Sequence, residues 1–329
     1  MSGATTISKL AVMTSGGDAP GMNAAIRAVT RCALDQGVRV MGVRDGFGGL
    51  MRGELMALDS RAVSGILHRA GTMLGSSRAP AFAKESGRAV AIEHLRVHGV
   101  DALVVVGGNG SQRGTLAFAE QSGLPCVGIA STIDNDLFGT EATLGTDTAL
   151  HVCLQAIDQL KVTAASHRRC SIIEVMGRDC GYLALMAGIA GGAESIVVPE
   201  AEISPQEVAE QVREAYERGK SHALVVVAEG SSCNAQALGE YFRGLGEGIG
   251  FELRVTVLGH VQRGGSPSPF DRMLGTRLGA EAVATLMEGQ RDKLVGWVGG
   301  RVARLELRDI VGKTKALSEE LLALGRTLQ

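Results

Sequence analysis

The sequence has no excess of either charge, no closely spaced cysteine pair and no long apolar run. Its 33 basic and 35 acidic residues give a net charge of −2, which argues against binding to nucleic acid or membrane surfaces through bulk charge. The six cysteines are scattered without a CxxC pair, so neither a zinc site nor a disulfide framework is indicated. No segment approaches membrane-spanning length, and the N-terminal residues lack a signal peptide's apolar core. We therefore expect a cytoplasmic enzyme.

What the sequence does contain is a series of short β-branched runs, and its glycines cluster at the ends of many of them. The chain has 46 glycines, and apolar runs without alternation are typical of strands buried on both faces of parallel sheets. Helical stretches lie between these runs, so the alternation predicts an α/β fold with mainly parallel sheets. The runs are LAVMTSGG, VMGVRDG, ALVVVGG, CVGIAST, CSIIEVMG, SIVVPE, ALVVVAEG and RVTVLGH.

The 329 residues predict about two domains, yet no proline-rich or serine-rich linker separates them. Short crossings must therefore join the domains. Ligands of open α/β sheets bind beyond the carboxyl ends of the strands. Glycine, aspartate, arginine and histidine residues lie at those ends here, and we expect an active-site cleft along them.

Two glycine-rich segments follow predicted strands and suit phosphate. TSGGDAPGMNAA places Gly16 and Gly17 before a helix, where the backbone can approach an anion and the helix offers unpaired N–H groups. VVVGGNGSQRG places Gly107, Gly108 and Gly110 in a second turn whose N–H groups can surround phosphate oxygens. This turn misses the dinucleotide fingerprint by one residue, which disfavours a nicotinamide dehydrogenase.

A third segment, VGKT, lies near the C-terminus at Val311 to Thr314. It resembles the end of a P-loop, which cradles nucleotide phosphates. Leu307, however, occupies the position that requires the first glycine of that motif. The sequence therefore does not predict a P-loop here.

Asp134 and Asp136 stand two residues apart in the segment ASTIDND, directly after the apolar run CVGI. Carboxylates this close repel each other unless a proton, a cation or a donor offsets the repulsion. A solvated turn is the simpler explanation, and a catalytic base beside a metal or phosphate site is the other. If the segment is extended, both side chains point to the same side.

Arginines gather near the ends of other predicted strands. Guanidinium groups bind phosphates through paired donors in a fixed geometry, so several of them in glycine-rich loops indicate a phosphate-binding surface. A solvated surface position explains any single one of them equally well. His260 alone does not distinguish a core histidine from a ligand. The arginines are Arg168, Arg169, Arg178, Arg254 and Arg263.

Five segments together resemble the bacterial 6-phosphofructokinase family, in particular its ATP-dependent branch. They are TSGGDAPGMNAAIRAV, TIDND, EVMGR, AGGAESIVVPE and VLGHVQRGGSP, and the similarity extends from Lys9 to Gly289. The resemblance implies phosphoryl transfer from ATP, with Mg²⁺, to the 1-hydroxyl of fructose 6-phosphate in glycolysis. It also implies two doubly wound domains with the active site in the cleft between them, in a homotetramer whose subunits share active sites.

The resemblance assigns the two domains. Residues 1–145 and about 262–305 would form the domain of the phosphoryl donor, ATP. Residues 146–261, together with a C-terminal helix at about 306–329, would form the sugar-phosphate domain.

The resemblance also assigns roles to individual residues. Asp134 resembles the catalytic base. Thr132 and Asp136 resemble its partners at the reacting hydroxyl and at the metal–phosphate, and Arg178 resembles a fourth catalytic residue. The donor site would comprise Gly16, Arg78, Gly108, Asn109, Gly110 and Ser111, and Asn109 and Asp136 are the candidate metal ligands. The sugar-phosphate site would comprise Arg169, Met176, Gly177, Arg178, Glu229, Arg254, His260 and Arg263, of which Arg169 and Arg254 resemble arginines from the neighbouring subunit.

Four positions depart from the family pattern or separate its branches. Asn109 replaces the usual Mg²⁺-binding Asp, so a sensor that has lost metal binding is one alternative. Gly110 favours ATP, because the pyrophosphate branch usually has Asp there, whereas Ser131 matches neither branch and a pyrophosphate-dependent transferase stays a second alternative. Glu54 stands where an arginine of the allosteric effector site is expected, and its charge would repel a phosphate. The other effector candidates are Arg27, Arg31, Lys161, Arg218 and Lys220.

Overall fold

The strands of the chain form two separate sheets, which belong to two units. The computed structural model describes residues 7–246 and 250–328. The first unit comprises Met1–Asp147 and Ser266–Lys315, and the second comprises Thr148–Gly265 and Ala316–Gln329. Residues 306–315, which the sequence analysis grouped with the second unit, thus group with the first. Which unit binds the donor and which the sugar phosphate stays a prediction.

Helices and strands alternate along most of the chain. The strands are β1 (Lys9–Ser15), β2 (Arg39–Val43), β3 (Leu55–Leu58), β4 (Ala102–Gly107), β5 (Cys126–Ala130), β6 (Arg169–Val175), β7 (Ser195–Val197), β8 (Ala223–Ala228), β9 (Glu252–Val257), β10 (Lys293–Val298) and β11 (Arg301–Glu306). The helices are α1 (Met22–Asp35), α2 (Gly46–Arg52), α3 (Glu85–Val97), α4 (Asn109–Ser122), α5 (Thr146–His167), α6 (Tyr182–Gly191), α7 (Pro205–Glu217), α8 (Ala235–Gly244), α9 (Pro269–Met287), α10 (Leu307–Ile310) and α11 (Glu319–Thr327).

The sheet of the first unit has the strand order β11-β10-β5-β4-β1-β2-β3. Its centre is parallel, and β3 and β11 pair antiparallel at its two edges. From β1 the chain continues to β2 on one side, whereas β4 lies on the other side and continues to β5. The strand order therefore reverses between β1 and β4, and ligands of open α/β sheets bind at such a switch point.

The sheet of the second unit has the order β7-β8-β6-β9, and all its strand pairs are parallel. Strand β8 is buried along its whole length. The edge strand β9 is not, since Val255 is 42% exposed and Val257 is 60% exposed. The prediction that RVTVLGH is buried on both faces is therefore wrong, because an edge strand has a neighbour on one side only.

The predicted fold class, α/β with mainly parallel sheets, is confirmed. Strands β3, β10 and β11 were not predicted, although the residues of β10, KLVGWV, form an apolar run that Gly299 and Gly300 follow. Five of the six cysteines are buried, and Cys32 is half-buried. Among the residues that the structure describes, no helix has both the length and the apolar character needed to cross a membrane.

Helices α1 and α9 pack closely because small residues face each other. A Cβ atom at Gly279 would lie 2.7 Å from the carbonyl oxygen of Ala25 and 2.8 Å from the Cβ of Ala28. We expect Gly279→Val to lower the free energy of unfolding by about 1–3 kcal/mol, the usual cost of overpacking. The measurement is denaturant unfolding of both proteins.

Gly244→Val is the matched control, because a Cβ at this exposed helix position would meet no described atom within 4 Å. Equal stability of the Gly279→Val variant and the wild type would contradict the close packing of α1 and α9.

Candidate active site

Three loops that bear predicted donor and catalytic residues follow neighbouring strands. Gly16 follows β1, Gly108 follows β4, and the segment ASTIDND begins at the end of β5. Gly107 is in register with Ser15 on one side and with Ala130 on the other. The carboxyl ends of these parallel strands therefore bring the three loops to one edge of the sheet.

The loop after β1 and the first turn of α4 lie in contact. Gly16 has a left-handed backbone with φ +86°, and a Cβ atom there would lie 3.1 Å from Ser111 Oγ. Helix α4 begins at Asn109, and its N-cap Gly108 has no side chain to cap the first N–H groups. These amides and the positive end of the helix dipole suit an anion.

Gly110 lies in the first turn of α4. Within the described part of the chain, no atom lies within 4 Å of the place where its Cβ would stand. Packing therefore does not require glycine at this position. The space is available to a ligand at the helix N-terminus.

Asn109 connects this helix to the carboxylate segment. Its Nδ2 donates a hydrogen bond of 2.8 Å to Oδ2 of Asp136. A neutral amide thus stands where a second carboxylate would repel the first.

The donor set fits a Mg²⁺ ion that is only partly held by protein. Mg²⁺ in phosphoryl-transfer sites commonly takes one or two carboxylates and completes its coordination with water and substrate phosphates. Asp136 supplies one carboxylate. In residues 7–246 and 250–328 there is no cluster of three His, Cys, Asp or Glu residues that could enclose the ion alone. The site therefore suits a metal that the phosphates also coordinate.

The segment between the two aspartates is a turn. Asn135 has a left-handed backbone with φ +52°, so the prediction of an extended segment is wrong. Asn tolerates this conformation better than most residues. The side chain is buried, and its Oδ1 accepts from the N–H of Thr143 at 3.0 Å while its Nδ2 donates to the carbonyl of Glu141 at 3.2 Å. This turn, and not strand alternation, orients Asp134 and Asp136.

Thr132 is the other residue that shapes the turn. Its Oγ1 accepts a hydrogen bond of 3.2 Å from the backbone N–H of Asp134. Its carbonyl accepts from the hydroxyls of Thr143 at 2.6 Å and Thr146 at 3.0 Å. The sequence analysis missed these two threonines and Asn135, because only their contacts reveal their role.

Arg78 follows a loop that is tied to the loop after β1. Ser76 Oγ donates to the carbonyl of Gly16 at 2.6 Å, and Ser77 Oγ donates to the carbonyl of Asp45 at 2.7 Å. The exposed Arg78 comes next in the chain. The loop that precedes Arg78 is thus hydrogen-bonded to the candidate phosphate-binding loop at Gly16.

In the second unit, Glu229 holds the loop that follows β6. Its Oε1 accepts from the N–H groups of Gly177 at 3.3 Å and Arg178 at 2.8 Å. Gly177 and Arg178 have positive φ angles of 148° and 53°. A Cβ atom at Gly230 would lie 1.8 Å from the carbonyl of Arg178, so this close approach requires glycine. The predicted acceptor residues after β6 and β8 are therefore brought together.

Gln262 connects the segment that contains His260 to the predicted acceptor residues after β6. It is fully buried in the 3-10 helix Gly259–Arg263, which also contains His260. Its Oε1 accepts from the N–H of Met176 at 3.2 Å, and its Nε2 donates to the carbonyl of Gly259 at 2.9 Å. No pattern in the sequence singles out Gln262, because its role depends on burial and on contacts with a distant segment.

Arg169 and Arg254 share one carboxylate. Arg169 Nε donates to Glu252 at 2.8 Å, and Arg254 hydrogen-bonds to the other oxygen of Glu252. The hydrogen bond from Arg169 lowers the pKa of Glu252 below its ordinary value. The two arginines, predicted to serve a neighbouring subunit, thus lie together, Arg254 in the edge strand β9 and Arg169 at the start of its neighbour β6.

Glu54, which the sequence analysis expected to repel an effector, is already paired. Arg52 donates to both of its carboxylate oxygens, at 2.8 Å and 2.9 Å. The hydrogen bond from Arg52 lowers the pKa of Glu54. Local pairing thus offsets the charge on which the expected repulsion depended, and effector control stays a prediction.

Comparison with known proteins identifies what the chain is similar to. The family described as Phosphofructokinase matches residues 9–286. The ATP-dependent 6-phosphofructokinase 1 of Thermus thermophilus is 48% identical over 320 residues, which cover 97% of this chain and 99% of that protein. The ATP-dependent 6-phosphofructokinase of Brevibacillus brevis is 46% identical over the same length and coverage.

A solved structure, that of phosphofructokinase from Saccharomyces cerevisiae, matches with a TM-score of 0.84 at 37% sequence identity. The alignment covers 92% of this chain and 45% of the yeast chain, so the chain spans about half of that relative. The family resemblance inferred from the five motifs is confirmed.

The geometry at Asn109 predicts a metal-dependent change in stability. Asn109→Asp replaces a 2.8 Å hydrogen bond to Asp136 by a contact between two carboxylates. We expect a lower unfolding temperature in EDTA, because the carboxylates repel each other. In a Mg²⁺ titration at fixed ATP, the Asn109→Asp variant should reach half of its thermal shift at about fivefold less Mg²⁺ than the wild type. The reason is that charge-assisted contacts are stronger than neutral ones.

Asn234→Asp is the control, because Asn234 accepts the N–H of Ala237 at a helix N-cap, where Asp serves equally well. Thermal unfolding of the three proteins, with and without Mg²⁺, is the measurement. Identical curves for Asn109→Asp and the wild type would contradict a metal site at Asp136.

Proposed function

The chain belongs to the phosphofructokinase family, and from that premise we propose that it is an enzyme that phosphorylates fructose 6-phosphate with ATP in glycolysis. The 1-hydroxyl is the acceptor and fructose 1,6-bisphosphate is the product. The observation that carries the proposal is the hydrogen bond from Asn109 to Asp136, because it joins a phosphate-binding helix N-terminus to the candidate metal ligand two residues after the candidate base, Asp134. The bacterial relatives with nearly full coverage, named as ATP-dependent enzymes, support it.

The first unit binds the phosphoryl donor in this proposal. The N–H groups at Gly16 and at the first turn of α4 surround the phosphates, and Arg78 adds a guanidinium. Gly110 leaves room for the larger donor, ATP, and Ser111 lies beside Gly16. Mg²⁺, when bound, neutralises charge on the phosphates, and Asp136 and Asn109 are the residues that would hold it. Phosphoryl transfer asks mainly for such positioning and neutralisation.

Asp134 acts as the general base. It accepts the proton of the 1-hydroxyl as the oxygen attacks the γ-phosphorus of ATP, and the bond to the β–γ bridging oxygen breaks. Thr132 and the left-handed Asn135 hold the backbone on either side of this carboxylate. A fixed base is needed because the reacting atoms must align before the proton moves.

The second unit binds the sugar phosphate. Arg178 and Arg263 offer guanidinium donors for the phosphate, and Arg178 also stabilises the transferring group. Glu229, whose Oε1 receives two backbone N–H groups, and His260 hydrogen-bond the sugar hydroxyls. Met176 and Gly177 supply backbone and apolar contacts.

The active enzyme is a homotetramer in the cytoplasm, and Arg169 and Arg254 reach the acceptor site of a neighbouring subunit. The exposed edge supports this assembly, because β9 carries Arg254 as well as the exposed Val255 and Val257, and Arg169 of the neighbouring strand β6 shares Glu252 with Arg254. Val261, 62% exposed, lies just beyond this strand. Uncovered apolar edge strands invite association, so native chains normally cover or disrupt them.

The first test is replacement of the base. Asp134→Ala should lower kcat with ATP and fructose 6-phosphate on the order of 10²-fold or more, because a positioned base is lost. Asp158→Ala, which removes an exposed carboxylate on α5, is the control and should keep wild-type turnover. A coupled assay of fructose 1,6-bisphosphate, with circular dichroism to verify folding, measures both.

The same assay with pyrophosphate in place of ATP tests the donor. Wild-type turnover should be faster with ATP. Faster turnover with pyrophosphate would overturn the donor assignment, and near-normal kcat in Asp134→Ala would overturn the role of the base. A wild type that is inactive with both donors would favour the sensor alternative.

The shared site predicts complementation between inactive subunits. Arg254→Ala should raise KM for fructose 6-phosphate, because it removes a phosphate contact from the neighbouring site. Mixing Asp134→Ala with Arg254→Ala subunits should restore part of the activity, since some hybrid interfaces contain an intact site. Subunit exchange is first verified by mass spectrometry. If activity then fails to recover, each subunit works alone.

A further inference from the structure

We propose that Lys315 is a positioning residue for the catalytic turn, because it holds both ends of the loop Asp136–Glu141. The proposal concerns the VGKT region, which lacks the features of a P-loop. It rests on the proposed function in one respect: the importance of Asp136 comes from its role at the metal and the donor phosphates.

The backbone of Lys315 holds the start of the loop. Thr314 forms an isolated antiparallel bridge with Leu137. The N–H of Lys315 donates to the carbonyl of Asp136 at 2.9 Å. The segment after α10 thus pairs with the residues directly after the two aspartates.

The side chain of Lys315 holds the end of the loop. Its Nζ donates to the carbonyl of Glu141 at 2.7 Å. The same carbonyl accepts from Nδ2 of Asn135 at 3.2 Å. Lys315 therefore reaches, through one shared acceptor, the left-handed residue that separates Asp134 from Asp136.

Apolar packing fixes the segment that carries this lysine. Leu307 and Ile310 of α10 belong to a buried cluster with Leu137 and Ala130. A Cβ atom at Gly139 would lie 2.4 Å from Ile310 Cδ1, so the loop lies directly against α10. The lysine therefore extends from a firm support, and its hydrogen bonds can restrain the loop.

The restraint matters because the contacts of Asp136 are specific. Its carboxylate receives Asn109 Nδ2 on one side while its carbonyl receives the N–H of Lys315. A loop that shifts by about 1 Å would misplace the carboxylate relative to the donor phosphates, and misplacements of that size can cost as much as 10²-fold in rate. The clamp thus contributes to kcat without contacting either substrate.

The experiment compares three variants in the full-length protein. Lys315→Met removes the Nζ donor and keeps the backbone N–H, whereas Lys315→Arg restores a donor. Lys9→Met is the matched control, because Lys9 Nζ also donates to a backbone carbonyl, that of His98, at the amino end of β1. All three changes lie in the first unit.

We expect Lys315→Met to lower kcat about threefold to tenfold, the range for one hydrogen bond that acts through position. KM for fructose 6-phosphate should stay unchanged, because the predicted sugar-phosphate residues belong to the second unit. Lys315→Arg should recover part of the loss. Lys9→Met should change the unfolding temperature at most, and leave kcat at the wild-type value.

Amide hydrogen exchange of the ligand-free proteins gives a readout that does not depend on activity. Exchange in peptides that cover residues 132–143 should accelerate in Lys315→Met and not in Lys9→Met. Unchanged exchange in this segment would overturn the clamp. A lower unfolding temperature with wild-type kcat would also overturn it, because the lysine would then be structural only. An inactive wild type with accelerated exchange in the variant would refute the proposed function and still support the clamp.

Discussion

The candidate site depends on holding two carboxylates close together without burying an uncompensated charge. Asp134 and Asp136 lie at the end of a buried strand, where repulsion and desolvation both oppose them. Neutral groups hold the pair in place. Asn109 donates to the carboxylate of Asp136, whereas Thr132, which accepts the backbone N–H of Asp134, and the left-handed Asn135 fix the backbone that carries both aspartates. The turn therefore has its shape before any ligand binds, and a cation can be shared with incoming phosphates.

Other buried amide side chains in the two units also hold backbone segments in place through hydrogen bonds. Gln262 ties the loop of His260 to Met176, and Gln112 donates to the carbonyls of Gly107 and Ile129 at 2.9 Å and 3.2 Å. A neutral amide can donate to buried backbone carbonyls, such as those near the ends of strands β4 and β5, at a lower desolvation cost than a charged group. Phosphate sites benefit from this, because the cationic side chains stay available for the ligand.

Residue patterns alone were enough to predict the fold class, and they indicated a candidate chemistry for the site. Apolar runs without alternation predicted the buried strands β1, β4, β5, β6 and β8, because a strand buried on both faces must be apolar throughout. The motifs TSGGDAP and TIDND predicted a phosphate-binding turn and a carboxylate pair, since residue type and spacing alone indicate that chemistry. The family resemblance added the substrates and the role of each residue. It could do so because its motifs extend over most of the chain.

The contacts that hold those residues became visible only in the folded chain. No local pattern shows that Asn135 is left-handed, that Glu229 receives two backbone N–H groups, or that Lys315 reaches a loop more than 170 positions earlier in the chain. These contacts join segments far apart in sequence, and their partners are backbone atoms, which carry no signature in the residue type. The exposure of β9 is of the same kind. From the sequence, its valines resemble core residues, because hydrophobicity alone does not distinguish a central strand of a sheet from an edge strand. The order of the strands in the folded sheet makes β9 an edge strand and leaves one side of it uncovered.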